Sequence, residues 1–133
     1  MVPRVNLSPG LARGTRGRYQ GALIRNATAD TFLRRYTAMG IPGDCYIFRI
    51  DDDLMVDATM YGNIARFMNH SCAPNCYSKV VEVGKGSYDK HIIIFAKRDL
   101  LPGEELQYDY QFALGGDKLE CHCGSRNCWG RMN

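Results

Sequence analysis

The chain has 133 residues, of which 45% are hydrophobic. This length suits one compact domain with a single core and is too short for two ordinary domains. The formal net charge is +3, but the first 29 residues hold five arginines and no acid, so the remainder carries 12 basic and 14 acidic side chains. This balance excludes a broadly basic, nucleic-acid-binding body.

The chain also lacks the segments that direct proteins into or across membranes. It has no run of about 18 apolar residues that would span a bilayer, and its N-terminus lacks the apolar stretch of a secretory signal. We therefore expect an intracellular, reducing environment. There the six cysteines favour thiolate or metal chemistry over disulfides.

The predicted elements are mostly strands separated by turn residues. After a first strand, the spacing of Phe32, Tyr36 and Met39 predicts an amphipathic helix over 28–39, which Gly40 and Pro42 should end. A short helical turn is expected at 63–68. The predicted strands are 22–24, 45–50, 54–58, 76–83, 91–96 and 106–110, most of them paired in hairpins. The fold class is therefore mainly β with short helices, built from several small sheets.

The segment CHCGSRNC near the C-terminus contains Cys121, Cys123 and Cys128. Thiols so close in sequence cannot pair as disulfides without strain, whereas their thiolates suit one tetrahedral Zn²⁺ around a turn at Gly124. A structural zinc site needs a fourth protein ligand. The candidates are Cys45, Cys72, Cys76, His70, His91 and His122.

A second dense motif, NHSCAPNC at 69–76, can bind a metal, hold a nucleophile or form a tight turn. The candidates outside this motif suit the fourth position less well: Cys45 in an apolar strand, His91 at a strand start and His122 between two ligands. Cys72 and Cys76 both stay open on spacing alone. Either would tie the C-terminal tail to the middle of the chain and contribute to folding.

Three segments carry a family resemblance: GNIARFMNHSCAPNC, GEELQYDY, and the CxCx4C tail that ends in WGRMN. In this order they resemble the SET and post-SET region of protein-lysine methyltransferases. The stretch CYIFRIDDDLMVDATMYGN is similar to the trithorax/COMPASS branch, the mixed-lineage-leukaemia-type enzymes. The resemblance covers 19–133. It implies a SET fold in which the NHSC segment passes beneath the strand of the final tyrosines in a knot-like crossing.

The resemblance also implies the roles of individual residues. One structural Zn²⁺ would be held by Cys72, Cys121, Cys123 and Cys128. S-adenosylmethionine (SAM) would be contacted by Asn69, His70 and Tyr46, with His122 on the adenine side. The catalytic tyrosine would be Tyr110, and Tyr108 and Tyr46 would line the lysine channel. Cys76 would be a packing residue.

Methyl transfer from a sulfonium to a lysine requires a neutral amine, in-line geometry and a shielded channel. Tyrosines suit such a channel because each offers an apolar wall and one hydroxyl. By resemblance, Tyr108 occupies the phenylalanine/tyrosine switch position, where a hydroxyl limits the room for added methyl groups. We therefore expect monomethylation to be favoured.

The N-terminus departs from the family pattern. Family members carry paired strands with a Gly-x-Gly cofactor loop before a Glu-Tyr dipeptide, whereas this chain has Arg18 before Tyr19, and its glycines at 14 and 17 have the wrong spacing. We expect an atypical, poorly ordered Arg/Gly-rich leader at 1–18 and a SET domain at 19–112 without its N-terminal strands. A zinc-binding post-SET tail is expected at 113–133.

The implied function is a SAM-dependent histone lysine N-methyltransferase domain that acts on lysine 4 of histone H3 in the nucleus. The implied partners are the H3 tail and COMPASS-type core complex subunits, without membrane binding or sequence-specific nucleic-acid binding. The alternative, from another class, is a catalytically weak or silent SET fragment. Such a fragment would serve as a zinc-stabilised module that binds a histone tail or complex subunits.

Overall fold

The structure, a computed structural model, describes residues 10–41, 46–86, 89–112 and 118–133. They belong to two compact units. The first, here called the tail unit, draws its residues from Met1–Gly17, Phe67–Lys79 and Ile94–Asn133. The second, the helix unit, draws them from Arg18–Arg66 and Val80–Ile93.

The described residues form short strands and two helical segments. In chain order these are β1 (Arg16–Tyr19), β2 (Ala22–Arg25), α1 (Asn26–Ala38), β3 (Ile47–Arg49), β4 (Leu54–Asp57), a 3-10 helix (Ile64–Phe67), β5 (Asn69–His70), β6 (Cys76–Glu82), β7 (Lys90–Ala96) and β8 (Gln107–Tyr108). The strand orders of the three small sheets are β1-β7-β6, β2-β4-β3 and β5-β8. This confirms the predicted strand-rich class. In the described part of the chain, no helix has the length and apolar character needed to cross a bilayer.

The helix unit is built on an antiparallel sheet in which β4 lies between β2 and β3. Side chains alternate across β4, so Leu54 and Val56 face the core and are only 2% and 7% exposed. The turn before β4 is fixed by Asp51, whose carboxylate accepts the backbone N–H groups of Asp53 and Leu54, both at 2.9 Å. Alternating burial and turn chemistry therefore produce the hairpin that the sequence predicts.

The helix α1 ends as the sequence predicts. Gly40 has φ +71°, a left-handed conformation that suits glycine at a helix C-terminus. Its N–H donates to the carbonyl of Thr37, and the N–H of Ile41 donates to that of Tyr36. The predicted apolar face is wrong at Met39, which lies at the C-cap and is 56% exposed.

A buried hydrogen bond fastens α1 to β4. The hydroxyl of Tyr36 donates to Asp57 Oδ2 at 2.6 Å, and the backbone N–H of Thr59 donates to Asp57 Oδ1 at 2.9 Å. Burial, followed by the hydrogen bond to Asp57, raises the pKa of Tyr36 to about 12. The carboxylate is therefore satisfied within the helix unit although only 2% of Asp57 is exposed.

The expectation of a poorly ordered leader is wrong for residues 10–18. Leu11 and Leu100 exchange backbone hydrogen bonds of 3.0 and 2.7 Å, and Gly14 N–H donates to the Ala96 carbonyl at 2.9 Å. β1 then begins at Arg16. Because ladder hydrogen bonds involve the backbone alone, an Arg/Gly-rich composition can still form an extended strand.

Candidate functional site

The tail unit brings the NHSC motif beside the tyrosine motif through the parallel pairing of β5 with β8. Asn69 pairs with Gln107 and His70 with Tyr108. The pairing continues for one residue, since Ser71 N–H donates to the Tyr108 carbonyl at 3.2 Å. Two segments separated by more than thirty residues in sequence thus lie side by side.

Asn75, at the end of the NHSCAPNC loop, locks this pairing. Its side-chain N–H donates to the Glu105 carbonyl at 2.8 Å, and its Oδ1 accepts the Gln107 N–H at 2.9 Å. Within the loop, the Ala73 N–H donates to Ser71 Oγ at 3.1 Å. Because the buried amide of Asn75 both donates to and accepts from the backbone of Glu105 and Gln107, it fixes the register of the loop against that segment.

Asn69, predicted to contact the cofactor, is oriented by a carboxylate. Its side-chain N–H donates to Glu105 Oε1 at 2.9 Å. The amide nitrogen of Asn69 is thus bound by Glu105, and the amide oxygen of Asn69 points away from that carboxylate. Glu105 lies in the GEELQYDY segment, and its role at Asn69 becomes visible once β5 and β8 are paired.

The predicted tyrosines Tyr108 and Tyr110 lie together in the tail unit. Their ring centroids are 4.9 Å apart, and Tyr108 is 6% exposed. The Tyr110 hydroxyl donates to the Met68 carbonyl at 2.7 Å, while its backbone N–H donates to His70 Nδ1 at 3.1 Å. Tyr110 is therefore held at both its backbone and its hydroxyl.

A left-handed residue follows these tyrosines. Gln111 has φ +53°, and its N–H donates to Asp109 Oδ1 at 2.9 Å. The turn brings the ring of Phe112 edge-on to Tyr110, with centroids 5.4 Å apart. Backbone strain in a non-glycine residue is concentrated at functional sites, and here it directs an aromatic ring toward the tyrosine pair.

The C-terminal tail closes on itself and carries three cysteines to one place. Glu120 and Arg131 form an antiparallel bridge, and Cys121 N–H donates to the Gly130 carbonyl at 3.1 Å. The turn between them uses Gly124 at φ +70°. The tail thus forms a small loop with its thiols on the same side as Cys72.

Four sulfurs form a cluster with tetrahedral dimensions. Their ligand atoms all lie within 4.8 Å of one another, and they belong to Cys72, Cys121, Cys123 and Cys128. The sulfur of Cys72 lies 3.6 Å from that of Cys121 and 3.9 Å from that of Cys128. Four ligands at the usual Zn–S distance are separated by about 3.8 Å, so the cluster fits a zinc ion.

The thiols of this cluster differ in how readily they ionise. Burial opposes ionisation of Cys123, but hydrogen bonds from Ser125 and from the Cys72 backbone lower its pKa to about 5. Burial and the other sulfurs raise the pKa of Cys121 to about 12. A bound dication would favour the thiolate form of both cysteines.

Cys76, the other fourth-ligand candidate from the loop, lies in β6 outside the cluster. It is 2% exposed, and burial raises the pKa of its thiol. A buried cysteine outside the sulfur cluster suits a packing role. The candidate Cys45 lies outside the described residues.

A hollow of about 240 Å³ borders the cluster and the tyrosine motif. Its lining includes His70, Cys72, Asp109, Phe112, Trp129 and Arg131. It combines aromatic surface with one carboxylate and one guanidinium, the mixture that small-molecule sites use for orientation. The sequence reasoning missed Asp109, Phe112 and Arg131 as lining residues, although their positions beside QYDY and the cysteines were a usable signal.

Two predicted site residues lie elsewhere. His122 does not line the hollow; its side chain is 72% exposed, with Nε2 3.3 Å from Glu120 Oε2. Tyr46 belongs to the helix unit, where its carbonyl accepts the Tyr19 hydroxyl at 3.0 Å and its ring faces the Arg66 guanidinium at 5.6 Å. Their predicted roles at the cofactor stay predictions.

Comparison with known proteins identifies the family to which this fold and site belong. The SET domain family profile matches residues 12–111. The chain therefore belongs to the SET domain family, which confirms the resemblance drawn from its motifs.

Among curated proteins, the chain is similar to trithorax and its relatives. It is 53% identical over 115 residues to the histone-lysine N-methyltransferase trithorax of Drosophila melanogaster, covering 86% of this chain and 3% of that protein. It is 51% identical over 116 residues to the H3 lysine-4 specific enzyme of Schizosaccharomyces pombe, covering 86% and 12%. With histone-lysine N-methyltransferase 2B of Homo sapiens, the identity is 50% over 112 residues, covering 83% and 4%. The chain thus spans a small part of the length of these relatives.

Among solved structures, the chain is similar to KRYPTONITE in a complex with mCHG DNA and S-adenosylhomocysteine (SAH). The TM-score is 0.78 at 30% identity, over 98% of this chain and 26% of that one. A second KRYPTONITE structure, with mCHH DNA, an H3(1-15) peptide and SAH, has the same TM-score and identity and is covered over 27%. The predicted SET fold is confirmed.

Proposed function

We propose that this chain is a SAM-dependent protein-lysine N-methyltransferase domain that acts on lysine 4 of histone H3 and favours monomethylation. The observation that carries the proposal is the parallel pairing of β5 with β8. It aligns a metal-ligand and cofactor motif with two neighbouring tyrosines. The names of the similar proteins from fission yeast and fly support the reaction and the histone substrate.

The hollow in the tail unit would receive the cofactor. The rings of His70 and Phe112 and the charged groups of Asp109 and Arg131 line it, and Asn69 and His122 of the same unit are proposed as further contacts. Tyr46 is proposed as a cofactor residue on the family resemblance alone. Bound SAM supplies an electrophilic methyl group on a sulfonium sulfur. Support comes from the SAH bound to the KRYPTONITE structures. The four clustered cysteines would hold one structural Zn²⁺.

Tyr110 is proposed as the catalytic tyrosine because of where its hydroxyl proton goes. That proton is donated to the Met68 carbonyl at 2.7 Å, so toward a lysine amine the hydroxyl oxygen would act as the acceptor of an N–H. The aromatic walls of Tyr108 and Tyr110 exclude water and disfavour a charged ammonium. The amine would thus be oriented and kept neutral by the same pair of rings.

The domain limits, partners and location are proposed on the same basis. We propose a SET domain at 19–112, a zinc-binding post-SET tail at 113–133 and an atypical leader at 1–18. The H3 tail and COMPASS-type core complex subunits are the proposed partners, and the nucleus is the proposed location. The H3(1-15) peptide in a KRYPTONITE structure supports the first of these partners.

The experiment is methyl transfer from radiolabelled SAM to an H3 peptide, followed by mass analysis of the product. We expect one methyl group on lysine 4 and a rate about 10²-fold lower for Tyr110→Phe, which removes only the orienting hydroxyl. The matched control is Tyr77→Phe, because Tyr77 is 44% exposed and stacks on Phe95.

Equal rates for wild type and Tyr110→Phe would contradict the assigned role of that hydroxyl. An absence of transfer by a zinc-loaded chain, alone and with complex subunits added, would contradict the enzyme assignment. That result would favour the silent, zinc-stabilised binding module. Transfer to a peptide that lacks lysine 4 would contradict the substrate.

A further inference from the structure

The imidazole of His70 lies between the cysteine cluster and the tyrosine motif, with both ring nitrogens in contact with the protein. His70 is 9% exposed. Its Nδ1 accepts the backbone N–H of Tyr110 at 3.1 Å. Its Nε2 lies 3.7 Å from Cys72 Sγ, within the range of a hydrogen bond to sulfur.

The contact with Tyr110 determines which nitrogen carries the proton. A backbone N–H can only donate, so Nδ1 must be unprotonated. The Asp109 carboxylate, with Oδ1 3.7 Å from Nδ1, lies beyond hydrogen-bond distance of that nitrogen. A neutral imidazole then carries its single proton on Nε2, the nitrogen that faces Cys72. The backbone N–H of Tyr110 thus fixes the tautomer of His70, and this tautomer presents its Nε2 proton to Cys72.

We propose that His70 is a positioning residue that bridges the metal centre and the catalytic tyrosine: its Nε2–H donates to the Cys72 thiolate while its Nδ1 holds the backbone of Tyr110. This role is additional to any contact of the ring with the cofactor. It rests on the proposed zinc centre and on the proposed role of Tyr110.

The hydrogen bond from His70 would stabilise negative charge at the proposed metal centre. Four thiolates around Zn²⁺ carry a formal net charge of about −2, and N–H or O–H donors offset such charge on the sulfurs. The Gly130 N–H lies 3.3 Å from Cys128 Sγ, and Ser125 Oγ lies 3.3 Å from Cys123 Sγ. His70 provides a donor at Cys72, the ligand that comes from the middle of the chain.

The tyrosine gains a fixed backbone from the same ring. Tyr110 is held at its hydroxyl by Met68, and its ring lies edge-on to the His70 ring with centroids 5.3 Å apart. The Nδ1 contact adds a third restraint where the chain turns into left-handed Gln111. Loss of this acceptor would remove one restraint on the Tyr110 backbone and leave the position of the hydroxyl less defined.

Two substitutions separate the halves of the bridge. Glutamine places its amide N–H near the position of Nε2, so His70→Gln keeps the donor to Cys72 and loses the acceptor for Tyr110. Asparagine places its amide oxygen near the position of Nδ1, so His70→Asn keeps the acceptor and loses the donor. Each variant is thus the matched control for the other.

Zinc release to a chromogenic chelator, measured without SAM, reports on the donor. We expect release to be about 10-fold faster for His70→Asn and close to wild type for His70→Gln. The turnover number at saturating SAM and peptide should show the opposite order, with the larger loss in His70→Gln. Equal losses in both variants for both measurements, or the reverse order, would overturn the proposal.

A measurement on the wild-type chain avoids dependence on folded variants. Long-range ¹H–¹⁵N NMR of the zinc-loaded chain should find His70 protonated at Nε2 and bare at Nδ1. His91→Gln and His122→Gln assign the three histidine signals. With ¹¹³Cd in place of zinc, the Nε2 proton should couple to the metal through the Cys72 sulfur.

A His70 ring protonated at Nδ1 in a metal-loaded sample would overturn the bridge while leaving the metal centre intact. A chain that binds no metal would overturn the metal centre and the bridge together. The expected tautomer and metal coupling in a chain without methyl-transfer activity would support the bridge and contradict only the enzyme assignment.

Discussion

The helix unit and the tail unit differ in the interactions that add to their buried apolar side chains. The helix unit has a three-stranded antiparallel sheet, one helix of 13 residues and a core that includes Leu54 and Val56. The tail unit contains the two-residue strands β5 and β8, a loop locked by Asn75, and four clustered sulfurs. Buried apolar side chains stabilise both units, and the tail unit adds a polar lock and a cysteine cluster that would hold a metal. Losing the proposed metal should therefore affect the tail unit more than the helix unit.

The largest effect is expected from Cys72→Ala. It removes one of the four sulfurs, so the metal loses the ligand that ties the mid-chain loop to the tail. We expect zinc per chain to fall from one to well below one, with methyl transfer reduced by more than about 10²-fold. Metal analysis and the peptide assay measure both, while the circular dichroism of α1 should persist.

Cys76→Ala is the control from the same loop. Cys76 is buried in β6 but lies outside the sulfur cluster, so its loss should lower stability without changing the zinc content. Zinc binding retained by Cys72→Ala and lost by Cys76→Ala would reverse the ligand assignment.

An intermediate effect is expected from Leu54→Ala in the helix unit. The side chain is 2% exposed, and truncating a buried leucine costs about 2–5 kcal/mol of the free energy of unfolding. Urea titration followed by the circular dichroism of α1 should show this loss, while folded Leu54→Ala still binds one zinc. Loss of zinc from the folded variant would mean that the units do not differ as described.

The smallest effect is a change in pH dependence at Asp51. The hydrogen bond from Lys90, followed by the backbone N–H groups of Asp53 and Leu54, lowers the pKa of Asp51 from 3.8 to about 2. A lowered pKa in the folded state contributes stability above the unfolded value, and this is lost as the pH falls from about 4 through about 2. Asp51→Asn should reduce that acid slope in urea titrations.

Asp52→Asn, in the same turn, serves as the control for this slope. Its side chain is fully exposed and lies 3.9 Å from Arg49. An unchanged slope in Asp51→Asn, or an equal reduction in both variants, would contradict the role given to the contact between Asp51 and Lys90.

Local sequence signals predicted elements of the helix unit well. The periodicity of Phe32 and Tyr36 and the stop at Gly40 predict α1, because these signals act within a few residues. They did not predict β1, since Arg16–Tyr19 pairs through its backbone and shows no apolar alternation. They also missed β5, because two residues are too few to carry a period.

The site was predictable only where its residues are close in sequence. The spacing of Cys121, Cys123 and Cys128 indicated a metal, but the choice between Cys72 and Cys76 required the family resemblance. The lock formed by Asn75 depends on Glu105 and Gln107, about thirty residues away. Side-chain contacts of this kind follow from tertiary structure and leave no local pattern in the sequence.

The most direct test of this account is X-ray absorption at the zinc edge of the purified chain, because the proposed metal centre would hold the mid-chain loop and the C-terminal tail together. We predict a single shell of four sulfurs at about 2.3 Å, reduced to three in Cys72→Ala that retains residual metal. A shell that contains a histidine nitrogen would contradict the assignment of four cysteine ligands. A shell that Cys72→Ala leaves unchanged would contradict it as well.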